Sequence, residues 1–192
     1  MFQGSLSLKF FKRLNIYKNS TGTVEFNPTT LEGRSYNWTF VAKLHGVLVF
    51  NDYNWSPTTN GHQSAVRSVL RELKLPYIVV NAGAVDTYSI NKNTMRAMYK
   101  DLCKKLIEVD AGTRLDSWAH KNRVSDAAEI QESLDKLEAL SKDLCLSVKE
   151  KQTIMNECVE AYFADLHRAA SDKCHKYLSV KRAGEQFEAI AL

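Results

Sequence analysis

The run Trp38-Thr39-Phe40-Val41-Ala42-Lys43-Leu44, the pair His45-Gly46 and the run Val47-Leu48-Val49-Phe50-Asn51 decide the fold. Both runs are rich in aromatic and β-branched residues, and a two-residue gap containing glycine is the mark of a tight hairpin. Alternation along the first run sets Trp38, Phe40, Ala42 and Leu44 against Thr39, Val41 and Lys43, one set for each face of a strand. Beyond the hairpin, Val66, Val69, Leu70 and Leu73 recur at three- and four-residue spacing with Arg67, Arg71 and Lys74 on other faces, which predicts a helix over residues 59–73. Thr58 or Thr59 is the expected N-cap, and Pro76 stops the helix. Tyr77-Ile78-Val79-Val80 then reads as a buried strand and Asn81-Ala82-Gly83 as a turn. The unit is β-β-α-β, with the helix covering one face of the sheet.

Upstream, residues 6–11, 15–18 and 23–26 are shorter strand candidates, punctuated by Asn19-Ser20-Thr21-Gly22 and Asn27-Pro28. Downstream the material changes. From Asn93 onward there is no proline, and Gly112 and Gly184 are the only glycines. Four helices are predicted. Residues 94–109 carry Met95, Met98, Leu102, Leu106 and Val109 on one stripe, stopped by Asp110-Ala111-Gly112. A short helix over 114–123 contains Trp118. A third starts at Ser125 or Asp126 behind an apparent capping box, Asp126-Ala127-Ala128-Glu129, with a stripe of Ile130, Leu134, Leu137, Leu140 and Leu144. A fourth starts at the capping box Ser147-Val148-Lys149-Glu150 and runs past Tyr177. Helices three and four should fold back as an antiparallel hairpin and form a layer with the first. The leucine stripe lasts about two heptads and reads as intramolecular core rather than a dimerising seam.

The expected fold is therefore α+β. A small N-terminal antiparallel sheet with one covering helix occupies residues 1–90, and a bundle of three to four helices occupies residues 91–192. Charge follows the same division. Residues 1–94 hold 10 Lys+Arg against 5 Asp+Glu and residues 95–192 hold 16 against 17, so the net +4 of the 192-residue chain is a basic first half beside a nearly neutral second. The first half also holds 13 of the 19 aromatic residues, which gives any ligand of that half both cations and rings to meet.

Several classes are excluded by what the sequence does not contain. Met1-Phe2-Gln3-Gly4-Ser5-Leu6-Ser7-Leu8-Lys9 is not a secretory signal, and charges break every apolar run well short of a membrane span, so an intracellular chain without membrane contact is expected. Cys103, Cys145, Cys158 and Cys174 lack C-x-x-C or finger spacing and read as reduced helix residues; no metal site and no cofactor is implied. His167, Cys174 and His175 lie close in sequence, but helical spacing points Cys174 and His175 about 100° apart, poor geometry for ligands or a nucleophile pair. No catalytic motif is present. An enzyme using His62 with His45 as acid and base would lack a nucleophile, a metal set and a phosphate loop.

One segment carries a resemblance. Ser35-Tyr36-Asn37, Ala42, Gly46, Asn51, Tyr53, Trp55-Ser56-x-Thr58-Thr59-x-x-His62-Gln63 resembles an uncharacterised family of small domains encoded mostly by tailed bacteriophages and some large viruses. There a serine-tyrosine pair opens a β-hairpin, and a serine, two threonines and a histidine-glutamine pair open the helix behind it. Residues 56–63 match well, whereas Asn37-Trp38-Thr39-Phe40 stands where the family often has threonine-proline. The match covers about residues 35–75, and it implies a viral accessory role in the host cytoplasm. Two readings of the motif stand side by side: Ser56, Thr58, Thr59 and His62 close a turn and cap the helix, or they form with the helix amides a pocket for an anion such as phosphate.

Two functions are weighed. In the first, a nucleic-acid-binding accessory protein, Lys9, Lys12, Arg13, Lys18, Arg34, Lys43, Arg67 and Arg71 neutralise phosphates beside aromatics that can stack on bases. The alternative is a protein-protein interaction module, such as a virus-encoded inhibitor of a host factor or a small virion component, anchored by Tyr53, Trp55 and Trp118. The expected state is a monomer or a homodimer through the C-terminal helices.

Overall fold

The computed structural model describes residues 7–111 and 118–190 and is an α+β protein. Seven strands form one sheet in sequence order: β1 Lys9–Phe11, β2 Ile16–Lys18, β3 Val24–Asn27, β4 Glu32–Ser35, β5 Trp38–Leu44, β6 Val47–Asn51 and β7 Ile78–Val80. Every neighbouring pair is antiparallel except β6 and β7, which run parallel because helix α1, Pro57–Glu72, crosses between them. A parallel neighbour cannot be reached by a tight turn, so the helix is the connection that this pairing requires. The expected hairpin is β5–β6, with His45 and Gly46 both at positive φ in its turn, the backbone that a two-residue type I′ hairpin uses.

Strand β4 is the element that the sequence did not announce. Glu32-Gly33-Arg34-Ser35 has no β-branched or aromatic residue, and its strand form comes from pairing on both sides with β3 and β5. The expected alternation along β5 is also broken. Gly33 lies opposite Val41 while Arg34 lies opposite Thr39, so Phe40 is an inserted bulge residue. The bulge turns Trp38, Phe40 and Val41 to the same side, where they join Val24, Phe26, Leu48 and Phe50 under Val66, Val69 and Leu70 of α1. Gly33 sits at the centre of this packing. A methyl group placed on it would stand 2.9 Å from Val41 Cβ and 3.3 Å from Val66 Cγ1.

On the opposite face, Leu44, Val49, Val80 and Ala82 pack against helix α2, Lys92–Asp110, together with helices α3, Trp118–Glu138, and α4, Val148–Ile190. One apolar core thus runs from the sheet into the helices. Helix α2 is the middle helix of the layer, with Met95, Met98, Leu102 and Cys103 buried, and α3 and α4 each pack on it. Leu134, Leu137 and Leu144 of the expected stripe are buried in that core.

Boundaries depart from the sequence reading in ways with local causes. Helix α1 starts at Pro57, whose fixed φ suits the first helical position, and Ser56 rather than Thr58 or Thr59 caps it. Helix α2 starts at Lys92 because Asn91 and Thr94 form a reciprocal capping box. Asp126 does not open a helix: it lies inside α3, which already runs from Trp118. The predicted start of the short helix, residues 114–117, lies outside the described residues. Helix α3 ends at Glu138, before the predicted Leu144, which instead closes a short 3-10 turn, Lys142–Leu144. Ser147 and Glu150 make the predicted capping box at α4, and the backbone amide of Ser147, with Lys92 nearby, holds the Glu150 carboxyl down to about 2.

Helix α4 is 43 residues long, roughly 64 Å at about 1.5 Å per residue. Ile154 and Cys158 are buried against the layer, while Phe163 and Leu166 are exposed. Among the described residues, no helix is long and apolar enough to cross a membrane.

Candidate functional site: a cleft and an open sheet face

Parallel β6 and β7 end side by side, and α1 begins just beyond them, so the chain leaves both strands towards one place. Open sheets bind ligands outside the carboxyl ends of their parallel strands. Here a cleft of about 580 Å³ opens there, lined by Ser35 to Trp38 from the β4–β5 turn, Trp55, Ser56 and Thr59 at the start of α1, and Ala84 and Asp86 from the loop after β7.

Asn51, fully buried at the end of β6, ties these segments together. Its side-chain amide donates to the carbonyls of Gly83 (2.9 Å) and Val85 (3.1 Å), and its side-chain oxygen accepts from the amides of Ala82 (3.0 Å) and Tyr53 (3.3 Å). Gln63, buried on α1, donates to the carbonyls of Asn51 (3.0 Å) and Tyr53 (3.2 Å). The two loops that bear Trp55 and Asp86 are therefore tied to one another by one satisfied polar network behind the cleft.

The walls are aromatic. Trp38 is buried and donates through its indole nitrogen to the carbonyl of Val85, and its ring lies 5.8 Å from that of Trp55. Trp55 and Tyr36 are 57% and 61% exposed, large aromatic surfaces presented to solvent at the cleft. Tyr36 has φ of +53°, a backbone conformation that a bulky side chain rarely adopts. Asp86 supplies the charge in the lining. One carboxylate oxygen accepts from the Thr39 amide (2.6 Å) and the other from the Tyr88 hydroxyl (3.0 Å). That hydrogen bond, followed by the carboxylate charge, raises the Tyr88 pKa above its ordinary value.

Of the four residues weighed as an anion pocket, Ser56 and Thr59 line the cleft, whereas Thr58 and His62 do not. Ser56 Oγ accepts from the Thr59 amide at 3.2 Å and bonds the Thr59 hydroxyl at 3.0 Å, so both are engaged at the helix cap. Thr58 is exposed. His62 is buried, with Nδ1 2.7 Å from Ser35 Oγ and its ring 5.4 Å from that of Tyr36, so it fastens α1 to the end of β4 behind the cleft. His45 stands at the other end of β5, in the β5–β6 turn.

Burial lowers the His62 pKa below its usual value. Protonation is then disfavoured in the folded state, so the unfolded chain binds the proton first as pH falls below about 6.5. Stability is expected to be level above that pH and to decline as pH drops through the interval between the unfolded and folded pKa values. Urea unfolding at pH 7.5 and 5.5 measures this, and His62→Gln should flatten its share of the slope. An unchanged slope in the variant would remove His62 as the cause.

The basic residues divide into separate groups. Lys9, Lys12, Arg13 and Lys18 lie together on the β1–β2 hairpin. Arg34, on β4, is 2.7 Å from Glu32. Lys43 is exposed near the far end of β5. Arg67 and Arg71 are on α1, where Arg67 pairs with Asp52 at 2.6 Å and lies over the Phe50 ring.

Register brings part of this set into line. Thr39, Arg34, Glu25, Lys18 and Lys9 are successive cross-strand partners from β5 to β1 and so share one face. Lys18 Nζ lies 4.7 Å from the centre of the Phe11 ring, which places Phe11 on that face too. The helical layer covers this side of the sheet only over β5 to β7, since the core there takes in no residue of β1 to β4. The row spans four strand spacings of about 4.8 Å, roughly 19 Å, and begins at Thr39, whose amide is bonded to Asp86 of the cleft.

Asp86 escaped the sequence reading because its partner, Thr39, is 47 residues away and no local pattern marks the pairing. Tyr36 and Asn51 were visible as functional candidates only as members of the motif, and Trp55 also as an interface anchor. No family model, curated protein or solved structure matches the chain.

Proposed function

We propose that the protein binds single-stranded nucleic acid across the open face of β1 to β4. The observation that carries this reading is the cross-strand row of Lys9, Lys18 and Arg34, flanked by Phe11 with Lys18 over its ring, on a sheet face that the helices leave uncovered. Lys12 and Arg13 in the adjoining turn add charge to the same end. Glu25 and Glu32 lie among these cations, so the face offers a few phosphate contacts rather than a continuous basic surface. Cations tracking a backbone beside an exposed ring are the arrangement that sequence-tolerant strand binding needs. The resemblance of residues 56–63 to phage-encoded domains supports an accessory role of a viral protein in the host cytoplasm.

Salt dependence provides the test. With Arg34 engaged by Glu32, four contacts, from Lys9, Lys12, Arg13 and Lys18, give a slope of log affinity against log salt of about −3 for a single strand. The double variant Lys9→Ala/Lys18→Ala is expected to weaken binding of an oligothymidylate and to reduce that slope by about 1.4. Fluorescence anisotropy at several salt concentrations reads both. Absence of binding at low salt, or an unchanged slope in the double variant, would overturn the reading.

A further inference from the structure

The cleft differs in chemistry from the basic face beside it. Its lining holds three aromatic rings, several hydroxyls and one carboxylate, and no lysine or arginine. A carboxylate among aromatic walls repels a phosphate and attracts a flat ligand whose edge donates hydrogen bonds. The volume lies within the range of about 300–1,000 Å³ usual for small-molecule sites.

The geometry points to a pocket for an unpaired guanine base. Resting on the strand-binding reading, this assigns the cleft to one base of a strand whose backbone continues past the Asp86–Tyr88 segment, which packs on buried Thr39, towards Arg34. Among the described residues each Asp86 oxygen has one protein donor, from Thr39 or Tyr88, which leaves each a lone pair. Guanine alone among the common bases presents two adjacent N–H donors, N1–H and the 2-amino group, on one edge. Adenine and cytosine each offer a single amino donor beside an acceptor, and that acceptor would face the carboxylate unpaired. Trp55 and Tyr36 supply the exposed ring faces for stacking. Tyr36 keeps its ring at the cleft despite φ of +53°, a conformation that glycine would hold without strain, and strained residues of this kind concentrate at ligand sites.

The experiment is calorimetric titration of the full chain with guanosine, adenosine, cytidine and uridine 5′-monophosphates. Guanosine monophosphate is expected to bind at least about tenfold more tightly than the other three, the discrimination of one good bidentate pair. Tyr36→Gly should lower that affinity about tenfold or more while leaving the melting temperature equal or higher, because the variant removes a stacking face and a strained side chain together. Asp86→Asn, with its fold verified by circular dichroism, should bring guanine and adenine to similar affinities. Equal binding of the purines by the unaltered chain, affinity unmoved by Tyr36→Gly, or no mononucleotide binding at all would overturn the assignment. The two readings separate cleanly. Lysine-dependent binding of oligothymidylate without guanosine monophosphate binding would leave the open face and remove the pocket, whereas guanosine monophosphate binding without any oligonucleotide binding would do the reverse.

Discussion

Replacing Asn51 with leucine is expected to destabilise the protein by about 4 kcal/mol or more, because the change leaves two backbone N–H groups and the Gly83 carbonyl without their partner at a fully buried position, the Val85 carbonyl keeping the Trp38 indole. Each such group costs about 1–3 kcal/mol when it finds no substitute, and water entering from the cleft can rescue only some of them. The sum is a large share of the roughly 5–15 kcal/mol that holds a typical domain together. Leucine is close to asparagine in shape, so loss of packing is not the cause. Asn51→Asp separates the contributions: it keeps acceptors for Ala82 and Tyr53 but loses the donor to Gly83 and Val85, and it adds a buried charge, so it too should be strongly destabilising. Urea unfolding followed by circular dichroism measures both variants. A loss below about 1 kcal/mol for Asn51→Leu would mean that the loops bearing Trp55 and Asp86 are held by something else.

Gly33→Ala is the second large effect, and its sign opposes the ordinary rule. In a strand interior, alanine for glycine normally stabilises by roughly 0.5–1 kcal/mol. At Gly33 the new methyl would meet Val41 at 2.9 Å from its Cβ and 3.0 Å from its Cγ2, with Val66 at 3.3 Å. Val41 Cβ is fixed to the backbone beside a bulge and cannot swing away, so the strands must part. The expected cost is about 2–3 kcal/mol, in the range of overpacked cores. Val41→Ala alone should also destabilise, by opening a cavity, yet the double variant should be more stable than the sum of the two losses predicts. A double-mutant cycle is expected to give a coupling of about 1 kcal/mol or more. Strict additivity would place the clash on Val41 Cβ, which alanine keeps, and not on Cγ2.

These two positions also mark where sequence reading succeeded and where it stopped. The β5–β6 hairpin, α1, β7 and the capping box of α4 were legible because each is written in local chemistry: a glycine turn, a 3.6-residue apolar period, a short β-branched run, a serine three residues before a glutamate. The segment containing Gly33 was silent because its strand form is imposed from both sides. The bulge at Phe40 could not be read either, since strict alternation along residues 38–44 looks the same whether or not a neighbouring strand lets one residue slip. Capping chemistry at Ser56 was visible but off by two or three residues, with Ser56, Thr58 and Thr59 all competent acceptors and Pro57 deciding among them. The candidate site was legible only in pieces. Lys9, Lys18 and Arg34 were named as cations, but their alignment on one face follows from β4, which had no signature, and Asp86 enters through contacts that skip most of the first half.

The helices reach across only part of the sheet. Strands β5 to β7 are enclosed from both sides, β3 and β4 from one, and β1 with β2 lies at an edge with Phe10, Phe11 and Leu14 in solvent. Protection against amide hydrogen exchange should therefore fall in steps along the sheet. The β1–β2 hairpin would open by local fluctuations while β5 and β6 exchange only when the whole molecule unfolds. The end of the sheet that carries the basic residues is then also its most yielding end, able to adjust strand by strand to what lies on it, while Asn51 and its network remain as rigid as the core.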